Sequence, residues 1–314
     1  MRIKEKVKSL SKFSPVTVDV AGFVVSISSL EKLKVEDLKD ILRGLNRESK
    51  KNAEKLLFLE VREGFKNFEF FKDMSEEIRR KIETGNFKLA IQGIFDVQTG
   101  KPVHYEVLLR FVDNDGNIVP AYKFIDYIYE FRLIHLLDVA VLKKILENSG
   151  VFTSKSIYVN ISPVTFKLSS SLSEVERLVE DIRSNGINIG FEITEQAIVE
   201  DIDLIVNVMR GRDIPVGIDD FGTGYVSFSK FIDFVEAIDV EILKVDGSYV
   251  KKLVKENSSD KAEKVIRAII SMSRSLGIKT VAGFVENKEI LEKIKQLKVD
   301  YGQGYLFMKP KVVV

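Results

Sequence analysis

The sequence predicts an α/β fold: a closed (β/α)8-type barrel preceded by a small α+β segment. Three observations predict it. From about residue 85 onward, helical stretches alternate with short apolar strands, and such helix-to-strand units require parallel strands joined by crossovers. Six or more units fit within residues 85–314, a density that suits a closed barrel better than an open doubly wound sheet, which shows the same alternation. Several of the strands end on a polar or charged residue, as they would where side chains gather at one mouth.

The elements follow in order. Residues 1–80 are set apart: "PVTVDVAGFVVSIS" reads as two short strands, and "KVEDLKDILRGLNRESKKNAEKLLFL" as a helix running into another strand. Their charge runs are solvated helix faces, and the segment shows no chemistry of its own. In "LSEVERLVEDIRSNG", Val175, Leu178, Val179 and Ile182 fall on one helical face and Gly186 closes the helix. "INIGFEITE" follows as a strand. "DLIVNVMRGRD" leads into "IPVGIDD", "DKAEKVIRAIISMSRSLG" into "IKTVAGF", and "KEILEKIKQLK" into "VDYGQGY".

Bulk composition narrows the chemistry. Lys and Arg total 48 against 47 Asp and Glu, so no global field draws the chain to DNA or to an anionic membrane. There is no cysteine, which excludes disulfides and thiolate metal sites. Only His104 and His135 could offer imidazole, and they read as a strand residue and a helix-packing residue. A metal would therefore be held by oxygen. No secretory signal or membrane span is apparent, so the expected location is the cytoplasm.

The strand ends supply that oxygen. "VHYEVLLRF" contributes Glu106 and Arg110, "SIYVNISP" Asn160, and "GFEITE" Glu192 with Glu195 beyond it. "VGIDDFG" gives Asp219 and Asp220, "EILKVDGS" Lys244 and Asp246, and "DYGQGYLF" Gln303. Any one acid after a strand is more simply a helix cap or a surface group. Together they form a ring of carboxylates that would repel unless a cation neutralised them, and a hard divalent ion, Mg²⁺ or Mn²⁺, suits such donors. Adjacent acids can bridge two ions about 3.5–4 Å apart, the spacing used to clamp phosphoryl groups.

These residues carry a family resemblance. "YEVLLRF", "NISP", "FEITE", "DDFGTGY", "LKVDGSYV" and "QGYLFMKP" occur in the order of the motifs of the EAL domain, a cyclic-di-GMP phosphodiesterase module of bacterial signalling. The resemblance covers residues 81–314 and implies a TIM-type barrel with one antiparallel strand. It also implies cleavage of cyclic-di-GMP to linear pGpG with two Mg²⁺ or Mn²⁺ ions. Glu106, Asn160, Glu192 and Asp219 would hold the first ion, with Asp219 shared and Asp220 on the second. Glu106, Lys244 and Gln303 would be catalytic, with Lys244 orienting the attacking water. Gln92, Leu108, Arg110 and Asp220 would face the substrate. Gly222, Thr223 and Gly224, with Glu195 and Glu286, would couple a homodimer interface to the site.

One departure matters. The family's Ala-Glu-Gly-Val-Glu motif reads "AGFVE" here, with Gly283 in place of a catalytic glutamate and Phe284 in place of a glycine. Glycine offers no oxygen, and losing a general base costs about 10²–10⁴-fold. The expectation is a cyclic-di-GMP-binding domain with weakened or lost hydrolysis. The alternatives are an active phosphodiesterase or a non-binding scaffold whose dimer interface does the work, and a signalling protein partner is a further expectation. Residues 1–80 also show a faint likeness to the end of a GGDEF domain.

Overall fold

A computed structural model describes residues 16–20, 23–27, 74–113, 116–224, 226–255 and 259–314. The chain divides into two units, residues 1–79 and 80–314. In the first, strands β1 (Val16–Val20) and β2 (Phe23–Ile27) pair antiparallel, with Val16 opposite Ile27. The stretch 34–59, expected as a helix running into another strand, and with it most of the proposed N-terminal segment, lies outside the described residues.

The second unit is a closed barrel of eight strands. In chain order these are β3 (Phe87–Asp96), β4 (Pro102–Val112), β6 (Ser156–Asn160), β7 (Asn188–Thr194), β8 (Val216–Phe221), β9 (Val240–Val245), β10 (Lys279–Ala282) and β11 (Tyr301–Gly302). β3 runs antiparallel to both neighbours, placing Gln92 opposite Glu106 on β4 and Phe95 opposite Gly302 on β11. The other barrel pairings are parallel. Two short strands extend the rim: β5 (Ile118–Pro120) on β4, and β12 (Lys311–Val312) on β3.

The helices take the faces that their spacing dictates. Ser169–Ser184 buries Val175, Leu178, Val179 and Ile182 against the barrel, and Gly186 ends it at φ +76°. Ser259–Ser275 does the same with Ile266, Ile269 and Ile270, and Lys288–Leu297 with Ile290, Ile294 and Leu297. Side chains of Thr194, Asn287 and Asp246 cap the helices that follow them, accepting from Ala197, Ile290 and Ser248 amides.

Inside the barrel, Ile94, Tyr158, Ile242 and Val281 form a closed apolar floor. At the end away from the polar mouth, Tyr158 donates to Glu241 at 2.5 Å and His104 shares a 2.9 Å hydrogen bond with Ser156. That layer fills the barrel beneath the mouth as a packed core.

Candidate metal and ligand site

Five strands aim carboxyl, amide and ammonium groups at one point above this floor. Glu106 and Gln92 stand opposite each other on β4 and β3, Asn160 and Glu192 on β6 and β7, and Lys244 comes from β9. Lys244 Nζ donates to Glu106 Oε2 at 2.9 Å and to Glu192 Oε2 at 2.6 Å, with all three side chains buried. Gln303 Nε2 donates to Glu106 Oε2 at 2.7 Å, and Asn160 Nδ2 to Glu106 Oε1 at 3.0 Å.

Consecutive strand residues point to opposite faces, so Asp219 and Asp220 cannot both face the mouth in a regular strand. The register of β8 on β9 slips between Ile218 and Phe221, and Asp220 adopts φ +54°. That bulge brings both acids to the mouth, where each lines the pocket. Behind them, Glu195 fixes the turn. Its Oε2 accepts from the amides of Gly222 (3.0 Å) and Thr223 (2.9 Å) and from the Thr223 hydroxyl (2.8 Å), and its Oε1 from the Val226 amide (2.9 Å).

The electrostatics are those of crowded acids around one cation. Burial raises the Glu106 carboxyl, but Lys244, Gln303 and Asn160 outweigh it and hold the group below its ordinary range. Glu192 is pushed well above that range by burial and by the charge of Glu106, against the pull of Lys244. Burial and the neighbouring Glu106 also raise Asp219. Asp220 is raised to about 6 by burial, Asp219 and Asp246. Burial alone would lower Lys244, but Glu106, Glu192 and Asp219 hold it well above the usual lysine range.

Four carboxyls against one ammonium fit a cation. Glu106, Glu192 and Asp219 each present an oxygen within 4.8 Å of the others. The Lys244 ammonium sits 2.6 Å from either Glu192 oxygen and pairs with the whole carboxylate. Three carboxylates with oxygens this close together are a hard-cation donor set.

The acids open into a pocket of about 860 Å³. Gln92, Leu108, Arg110, Gly283, Phe284, Glu286 and Gln303 line it too. Gln92 Nε2 donates to the Met308 carbonyl at 3.1 Å, and Arg110 Nη1 to the Leu109 carbonyl at 2.8 Å. A Cβ built on Gly283 meets nothing within 4 Å. Asp246 serves as a helix cap, while Gly222, Thr223 and Gly224 form the turn bound by Glu195 rather than the pocket wall.

Sequence reasoning missed one side of this pocket. Pro120, Tyr122, Ile125 and Tyr129 wall it, from the segment between β5 and the helix Ile134–Glu147, with Asp138 of that helix at their base. Asp138 Oδ2 accepts from the Ser162 amide (2.9 Å) and the Thr165 hydroxyl (2.5 Å), and burial outweighs both to push it to about 7. The signal was an acid on an apolar helical face, between Leu137 and Val141.

The EAL domain family matches residues 75–310. The chain belongs to the EAL domain family. It is 31% identical to the cyclic di-GMP phosphodiesterase PdeA of Borreliella burgdorferi over 243 residues, covering 75% of this chain and 35% of that protein. It is 27% identical to the cyclic di-GMP phosphodiesterase PdeF of Escherichia coli, covering 77% of this chain and 32% of that one. The chain thus spans about a third of the length of these EAL relatives. The EAL domain of FimX from Pseudomonas aeruginosa, solved bound to c-di-GMP, superposes with a TM-score of 0.64 at 21% identity, covering 74% of this chain and 94% of that one. The EAL fold, with its single antiparallel strand, is therefore the fold of residues 80–314. EAL phosphodiesterases depend on divalent metal, and the carboxylate cluster suits one. Among the described residues no helix is long and apolar enough to cross a membrane.

Proposed function

We propose that this protein binds cyclic-di-GMP at the barrel mouth, through Mg²⁺ or Mn²⁺, with hydrolysis weakened or lost. The observation that carries this reading is Gly283. It lines the pocket beside intact acids and leaves open space where a side chain would stand. Binding draws on what is present: Glu106, Asn160, Glu192 and Asp219 to hold one ion, Asp220 to reach a second, and Arg110 and Gln92 on the pocket wall. A bound ion would draw electron density from a phosphate oxygen and neutralise its charge. Glu106 and Gln303 would steady the ion's surroundings, and Lys244, pinned between Glu106 and Glu192, would hold a water for attack. Proton removal from that water is the step Gly283 leaves without a base.

A second reading is a slow phosphodiesterase, favoured by the complete Glu106–Glu192–Asp219 cluster. Calorimetry with cyclic-di-GMP in Ca²⁺ or Mg²⁺ tests binding, and no heat at high micromolar ligand would remove the first reading. Product analysis in Mn²⁺ tests the second. Accumulation of pGpG that disappears in Glu106→Ala would establish it. We further propose that Gly222–Gly224, held by Glu195, and the nearby Glu286 link this site to a homodimer interface.

A further inference from the structure

Phe284 lines the pocket and is 49% exposed, yet its backbone sits at φ +56°, a region aromatic residues rarely occupy. Two contacts hold it there. One edge of the ring lies on Gly247, so closely that a Cβ on that glycine would come within 2.0 Å of Phe284 Cδ2. The Lys251 ammonium stands 3.5 Å from the ring centroid. The loop beneath is braced by its neighbour: the Val285 amide donates to the Gln303 carbonyl and the Leu306 amide to the Val285 carbonyl, both at 3.0 Å. Gly304 seats so tightly on Val285 that a Cβ would approach its carbonyl oxygen to 2.2 Å. The same braced pair of loops carries Tyr305, 57% exposed and also lining the pocket.

A half-exposed aromatic ring in a strained backbone adds little to the core. Its edge is fixed, one face meets an ammonium, and the remainder is turned to a pocket whose acids select a cation and phosphate. That is the construction of a stacking platform for a planar base, with a positive charge nearby for the phosphate attached to it.

We propose that Phe284 is a nucleobase-stacking residue that receives one purine of a cyclic dinucleotide at the pocket mouth, with Gly247 and Lys251 fixing the ring. The proposal rests on the cyclic-di-GMP reading above. It makes the "AGFVE" motif a gain of contact at Phe284 as well as a loss at Gly283.

The test uses the full chain with Ca²⁺ and two probes: cyclic-di-GMP by calorimetry, and a cyclic dinucleotide carrying 2-aminopurine in place of one guanine by fluorescence. Phe284→Leu should weaken cyclic-di-GMP binding roughly tenfold or more, while Phe284→Tyr keeps it. The 2-aminopurine emission should be quenched on binding to the wild type and to Phe284→Tyr only. Phe284→Gly suits the positive φ, and its melting temperature separates a loss of stacking from a loss of fold. Equal affinity of wild type, Phe284→Leu and Phe284→Gly would overturn this proposal while leaving the binding reading intact. No binding by the wild type would overturn both.

Discussion

Lys244 and Glu192 form a 2.6 Å ion pair in the barrel interior, and Glu192 has no exposed surface through which water could take the lysine's place. Removing one partner strands a buried charge, which costs about 3–5 kcal/mol. Lys244→Met should therefore destabilise the chain by that order in urea unfolding, and Mg²⁺ should restore part of the loss by binding the freed carboxylates. A loss below about 1 kcal/mol would contradict a pair formed in the dark of the barrel.

Ion binding should weaken on acidification. Glu192, Asp219 and Asp220 all hold protons more tightly than ordinary carboxyls, Asp220 with a midpoint of about 6. An ion must displace those protons, so its affinity is full above that range and falls as pH drops through it. Mn²⁺ titrations at pH 8 and pH 5 should differ roughly tenfold or more. A flat profile would place the ion elsewhere.

Asp138 sets a separate pH dependence of stability. Its folded midpoint of about 7 lies above its unfolded value, so the protonated form favours folding. The contribution is complete below about pH 4 and is lost as pH rises through about 7. Asp138→Asn can still accept from Ser162 and Thr165, and should be more stable than the wild type at pH 8 by a few kcal/mol, on the order of the shift. Thermal melts at pH 6 and pH 8 would show the advantage growing with pH; a constant difference would refute the assignment.

Gly283→Glu should raise turnover to pGpG about 10²–10⁴-fold over the wild type. Apart from its two chain neighbours nothing stands within 4 Å of the new Cβ, and Gly283 lacks a positive φ, so the side chain can be accommodated. Unchanged turnover in a folded, ligand-binding variant would mean that something other than this missing carboxylate limits the reaction.

Much of this was legible in the chain because it depends on periodicity. The apolar stripe of Val175, Leu178, Val179 and Ile182, and the acids near the ends of β7 and β8, follow from spacing of 3.6 and from strands that stop at a common rim, whereas Glu106 lies mid-strand in β4, which runs on to Val112. What was not legible depends on geometry between distant segments. Nothing local marks the β8 bulge that turns Asp220 beside Asp219, or the backbone bonds joining Val285 to Gln303 and Leu306. Asp138 has no local sign of its role, because its partners Ser162 and Thr165 are more than twenty residues away.

The backbone at Phe284 has a shape that suits a residue without a side chain, and an aromatic ring occupies it at a conformational cost of about 1–2 kcal/mol. Phe284→Gly would release that strain on an unchanged trace, and a side chain at Gly283 would enter open space, so this loop can exchange both side chains without being rebuilt.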